Sequence, residues 1–158
     1  MNGTLIVITF DRADRAEKVF DALHAMRRRA IYSLDEALVV TRNRNGQVHL
    51  HHSQTLANTQ RAHTLGVILG LVFEEEGNER GSQTDIRTEL AACGFDLHFL
   101  EIIGHEMQDE SSAIFFLVRR TSVGDAHEII KVLSLFHGRV SQTTVSPESE
   151  AYLSQLTS

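Results

Sequence analysis

Cysteine, proline, positive charge and long apolar runs are all scarce in this chain, and each scarcity removes a class of answer. Among 158 residues there is one cysteine, Cys93, so no intrachain disulfide can form and a reducing, cytoplasmic setting is expected. There is one proline, Pro147, so no stiff linker divides the chain. Fifteen basic residues stand against 21 acidic ones, a net charge of -6. That balance argues against nucleic acid as a general partner, because phosphate binding needs a basic face. The longest uncharged apolar stretch near the middle, Leu65 to Phe73, is about half of the ~20 residues a spanning helix needs. The opening apolar run meets Asp11 at once and has no basic segment before it, so it reads as a strand and not as a signal peptide. Neither CxxC nor HExxH occurs.

What is present is ordinary globular material, 42% hydrophobic and 23% charged, in one domain spanning 1–158. Leu5 to Phe10 has the length and β-branching of a buried strand. Asp11, with Asp14 three residues on, predicts the cap of a helix running to about Arg29. Its apolar face is Ala16, Val19, Phe20, Leu23 and Met26. Asp35 to Thr41 and Gln47 to Ser53 read as strands joined at Asn45-Gly46, a strong hairpin signal because both turn positions tolerate positive φ. Thr84 to Cys93 reads as a short helix closed by Gly94, and Asp96 as the cap of the next, with Leu100, Ile103 and Met107 inward.

Ser111 to Arg119 is apolar on both alternations, which predicts a central strand covered on both faces. Asp125 predicts the cap of a helix to Phe136, ended by Gly138. Arg139 to Val145 is a last strand, and Ser146-Pro147 starts a terminal helix. The order predicts an α+β fold, a ferredoxin-like split βαβ sandwich. A C-terminal helix-strand-helix extends it, and an irregular or helical insert over about 54–83 follows the third strand.

Four segments carry a family resemblance: LIVITFDRADRAEKVFDAL, LDEALVVTRNRNGQVHLHHS, GFDLHFLEIIGHEMQDESSAIFFLV and GRVSQTTVSPESEAYLSQL. Through them the chain resembles a bacterial domain-of-unknown-function family, number 1269, labelled predicted membrane protein. The likeness rests on the order and texture of elements over most of the chain outside about 54–85. That family carries a long Gly/Ala-rich apolar hairpin after its third strand. Here the corresponding stretch is Leu65 to Phe73, followed by Glu74, Glu75 and Glu76. The resemblance implies a membrane-associated or assembling protein and supplies no activity.

Nine histidines are many for this length. His49 and His51 occupy alternate positions of a strand, where side chains about 6–7 Å apart share a face. With His63 as a third ligand they could hold Zn²⁺ or Ni²⁺; a polar strand that happens to be rich in histidine is the plainer account. His98, His105 and His127 fall on helices with polar neighbours that explain them locally. Cys93 reads as a small buried hydrophobe near a helix C-terminus, a position that does not activate a thiol.

Arg27, Arg28 and Arg29, with Arg12 and Arg15 on the same helix, form a basic cluster to which Arg42, Arg44, Arg119 and Arg120 add. It could bind an anion, and it could equally be a solvated face. Leu65, Gly66, Leu69, Gly70 and Phe73 have the small-xxx-small spacing of a close helix contact and are read as a self-association patch. An ordinary core helix would have the same composition. The leading expectation is a non-enzymatic, cytoplasmic, homo-oligomeric protein of structural or regulatory role, without a cofactor. A metal- or small-ligand sensor built on the histidine-bearing strand is the first alternative, and a peripheral membrane protein the second.

Overall fold

The computed structural model describes residues 3–26, 36–52, 68, 69, 71, 72, 82–118 and 123–156. In chain order the elements are β1 (Gly3–Phe10), α1 (Arg15–Ala25), β2 (Glu36–Arg42), β3 (Val48–His52), α2 (Ser82–Ala92), α3 (Leu97–Glu106) and β4 (Ser111–Val118). They continue with α4 (Val123–Leu133), a 3₁₀ turn (Ser134–Phe136), β5 (Arg139–Val145) and α5 (Pro147–Leu156). Ile68, Leu69, Leu71 and Val72 are also helical.

The protein is a mixed α+β fold around a five-stranded sheet of order β3-β2-β4-β1-β5, antiparallel at every pairing. The order of sequence elements anticipates a ferredoxin-like split βαβ extended by a C-terminal helix-strand-helix. In the structure β4 lies between β1 and β2, and β3 is displaced to the edge. The reason is burial. Every residue of β4 is buried, whereas β3 is Val-His-Leu-His-His and exposes Leu50 at 44%. A strand apolar on both alternations gains most in the middle, and a polar strand loses least at an edge.

Helices cover both faces. Ile6, Ile8, Phe10, Ala37, Val39, Ile114 and Phe116 point to one side and meet Ala16, Val19, Phe20 and Leu23 of α1 and Ile129, Val132 and Leu133 of α4. Leu5, Val7, Leu38, Val40, Ala113, Phe115 and Leu117 point to the other. There they meet Ile68, Leu69 and Leu71, Leu90 of α2, Leu100 and Ile103 of α3, and Leu153 of α5. The period-two alternation of the strands thus feeds two separate cores.

Local signals hold with particular corrections. The hairpin forms, but only Gly46 takes a positive φ, +82°, and its N–H donates to the Asn43 carbonyl at 3.0 Å. The connection is a type I turn closed by a glycine bulge, with the Asn43 side chain accepting from the Asn45 and Gln47 amides at 2.9 Å. Asp96 caps α3 as expected, accepting from Phe99 N–H at 3.3 Å, and Gly94 adopts φ +90°. Pro147 opens α5, where Ser146 Oγ accepts the Ser149 N–H at 3.1 Å.

Asp11 does not cap α1, which begins at Arg15; a serine of β4 does so instead. Asp125 lies inside α4, which starts at Val123. Gly138 does not supply the left-handed residue after the 3₁₀ turn. His137 does, at φ 60°, and Gly138 is required for space.

Candidate functional site

A cleft of about 840 Å³ opens between the β2–β3 hairpin and the helical layer, within the roughly 300–1,000 Å³ typical of small-ligand sites. The hairpin contributes Arg42 and residues 45–49 as one wall. Leu71 and Val72, Arg87 of α2, and Leu100, Glu101, Gly104 and His105 of α3 form the rest. Leu71 and Leu100 are buried and close the apolar base. Gly104 lies close to this base, where a Cβ would stand 3.4 Å from the Val72 carbonyl oxygen.

Two arginines are held there by backbone oxygens. Arg42 Nη1 donates to the Met107 carbonyl at 2.8 Å, its Nε donates to the Gly46 carbonyl at 3.4 Å, and Asp109 Oδ1 stands 3.6 Å from that Nε. Arg87 Nη2 donates to the Leu71 carbonyl. The hairpin is fastened to the turn between α3 and β4 by further contacts. Arg44 Nε meets Glu110 Oε1 at 3.1 Å, and the Glu110 N–H donates to the Asn43 carbonyl at 3.3 Å. Glu110 itself takes φ 61°, a left-handed conformation uncommon for a non-glycine residue. These contacts fix one wall of the cleft relative to α3.

Of the sequence-derived site residues, His49 lines the cleft, on the exposed edge strand, with its Nε2 3.5 Å from Asn43 Nδ2. The register places His49 opposite Thr41 and His51 opposite Val39. His63, the third residue of that set, lies outside the described residues. No group of three or more His, Cys, Asp or Glu able to hold a metal occurs among the described residues. Arg27, Arg28 and Arg29 lie outside the described residues, as do Leu65, Gly66, Gly70 and Phe73. Leu69 is 3% exposed and packs within the chain's own core beside Ile68 and Leu71.

His98 Nδ1 stands 3.5 Å from Glu101 Oε2, the local pairing expected of it. Cys93 is half-buried and its carbonyl accepts from Ser146 Oγ at 3.1 Å. Sequence reasoning singled out Arg42 only as an outlying member of a basic cluster, and passed over Arg87, Gly104 and the pairing of His105 with His49 in one cleft. No spacing signal links these residues, because they come from different elements brought together by the fold.

No family model matches the chain, and no curated protein or solved structure matches it either. Among the described residues, no helix is long and apolar enough to cross a membrane.

Proposed function

We propose that this chain is a non-enzymatic small-ligand-binding domain whose site is the cleft between the β2–β3 hairpin and α3. The observation that carries this reading is the cleft's construction. It has an apolar base at Leu71 and Leu100, a polar rim, and guanidiniums held in place by backbone carbonyls. Binding sites generally combine such a base with a few positioned polar groups. The described lining offers cationic and amide donors and one carboxylate, Glu101, but no hydroxyl or thiol. This favours recognition over covalent chemistry.

The test is an amide NMR screen of the intact chain with small fragments of mixed charge. Shifts clustered on Gly46, Val48, Leu100 and Gly104 are expected; a collection that moves none of them removes the proposal.

The fold class is read more finely in the same terms. β1 and β2 flank β4, β4 and β5 flank β1, and α1 and α4 pack on one face, which supports a reading as two interleaved split βαβ units. We take this as a ferredoxin-like core bearing an appended edge strand, β3, and a second helical layer. The resemblance to family 1269 is part of this proposal and adds no activity to it.

Self-association is a second reading, favoured by the composition of β5. This edge strand is Arg-Val-Ser-Gln-Thr-Thr-Val, with one charge and four β-branched residues, and it lacks the lysines and prolines that blunt edges. Sedimentation equilibrium showing a monomer at micromolar concentration would remove it. Zn²⁺ or Ni²⁺ held by His49, His51 and His63 would appear as a thermal shift in untagged protein. Peripheral membrane association would appear as pelleting with liposomes.

A further inference from the structure

We infer that two copies of this chain join through β5, edge to edge and antiparallel about a twofold axis, so that two five-stranded sheets become one of ten strands. This inference rests on the self-association reading and names its seam. β5 ends the sheet, with β1 on one side and no strand on the other. Its register against β1 runs without a break from Arg139 to Val145. Every second residue of such a strand turns its N–H and C=O away from the neighbour. Among the described residues, no element but β1 hydrogen-bonds to the β5 backbone.

The sequence of β5 is complementary to itself. A seven-residue strand pairs in full with its own copy in one antiparallel alignment, the one centred on its middle residue, here Gln142. Val140 then meets the partner's Thr144, Ser141 meets the partner's Thr143, and Gln142 meets its own copy. β-branched residues face each other, as do hydroxyls and amides, and such cross-strand pairs are favourable. A parallel alignment in register would instead set Arg139 beside Arg139. The antiparallel one keeps the two arginines at opposite ends and closes on itself as a dimer.

Charge points to the same occupant. The register with β1 puts Arg139 and Val145 on the sheet face of Leu5 and Val7, the face that Leu153 of α5 covers. A twofold axis normal to the sheet keeps that face continuous across the seam. Arg139 therefore lies beside the partner's Val145, and α5 of the partner begins just beyond, with Glu148 and Glu150 in its first turn. Both Arg139 and Glu148 are exposed. Within its own chain Arg139 Nη1 meets Asp11 Oδ1 at 3.4 Å, a surface pair that holds it weakly. The other edge, β3, is a poorer seam, being five residues long with Val48 and His49 committed to the cleft wall.

The test is sedimentation equilibrium of the full chain at micromolar concentration and low salt, for the wild type, Gln142→Lys and Gln142→Glu. The wild type is expected to be a dimer. Gln142 is exposed, so both variants should fold, which circular dichroism checks. Each variant alone sets like charges opposite each other at the axis and should weaken the dimer about tenfold or more. An equal mixture of the two sets opposite charges there and should restore it. Leu50→Lys, on the β3 edge, should leave the dimer intact. Arg139→Glu sets a carboxylate against the partner's Glu148 and should weaken the dimer, and adding Glu148→Arg should restore it. That pair of variants decides the matter if a Gln142 variant does not fold.

A wild-type monomer removes self-association and the β5 seam together. A dimer that persists in the folded Gln142 variants keeps self-association and overturns the seam. Loss of the dimer in folded Leu50→Lys alone moves the seam to β3 and overturns it equally. Gln142 variants that dissociate alone and stay apart when mixed overturn the alignment about Gln142.

Discussion

Ser112 of β4 caps helix α1 at Ala16. Its Oγ accepts the Ala16 N–H at 3.0 Å while donating to the Arg12 carbonyl at 2.6 Å. The hydroxyl is fully buried, so the Ala16 N–H would lose its partner if it were removed, whereas the Arg12 carbonyl keeps the Arg15 N–H at 3.3 Å. Ser112→Ala is expected to lower unfolding free energy by about 1–3 kcal/mol, the cost of leaving one buried N–H unpaired. Urea denaturation measures it, and a loss below about 0.5 kcal/mol, the size of an ordinary surface change, would contradict this role.

Gly94 and Gly138 each follow a helical segment and are required for different reasons. At Gly138 an added Cβ would stand 2.6 Å from Ile8 Cγ1 and 2.8 Å from the Thr9 carbonyl oxygen, a backbone atom that cannot swing aside. Gly94 has φ +90° and no atom within 4 Å of an added Cβ. Gly138→Ala should cost about 1–3 kcal/mol through overpacking against β1. Gly94→Ala should cost about 1–2 kcal/mol through backbone conformation alone. Ile8→Ala, which removes Cγ1, should cost less in the Gly138→Ala background than in wild type, and as much in the Gly94→Ala background as in wild type, as chemical denaturation of the double variants would show.

The clip between the hairpin and the α3–β4 turn contains unequal members. Arg44 and Glu110 are both largely exposed, so Arg44→Ala should change stability by about 1 kcal/mol or less. The Arg42 side chain is only 32% exposed and donates to the Met107 carbonyl, so Arg42→Ala should cost about 1–3 kcal/mol. Equal losses in the two variants, measured by thermal unfolding, would show that the exposed pair carries as much as the half-buried donor.

Leu69 separates a core role from an assembly role. It is buried within its own chain, so Leu69→Ala should cost about 2–5 kcal/mol and leave the sedimentation coefficient of the folded protein unchanged. A variant of unaltered stability but altered oligomeric state would place Leu69 at an interface.

Asp14 gives a pH signature. A hydrogen bond from Lys18 at 3.2 Å, reinforced by the charge of that ammonium, holds the Asp14 carboxyl below its ordinary value of 3.8. A lowered folded-state pKa means that the contribution is complete above the unfolded value and fades as pH falls through the folded one. The melting-temperature difference between wild type and Asp14→Asn should therefore be constant from pH 5 to 7 and shrink below about 4. A carbon-detected titration of Asp14 with its midpoint above 3.8 would contradict the assignment.

Much of the fold is legible in order and texture. The apolar run Ser111 to Val118 announces a central strand, Asn45-Gly46 a hairpin, Asp96 a cap and Pro147 a helix start. Each is a local matter of φ, donor count or side-chain period. The misplaced features are those whose cause is distant in sequence. Asp11 has the position of a cap for α1, because a capping side chain usually precedes its helix, yet the capping Ser112 lies 96 residues from Ala16. The candidate site shows the same division. His49 and Arg42 were visible as residue types, but Arg87, Glu101 and Gly104 share no spacing with them, and only packing of α2 and α3 against the hairpin makes one cleft of them.

Taken alone, the amino-acid order determines which segments become strands and helices and which strand must be most buried, because period and polarity act within a few residues. It also rules out an intrachain disulfide, since Cys93 is the one cysteine. The tertiary structure decides that β4 separates β1 from β2, that β3 is left at an edge, and that two arginines from different elements face one concavity. Those outcomes depend on burial shared between distant segments. The free energy that selects them belongs to the packed assembly and to no single stretch of chain.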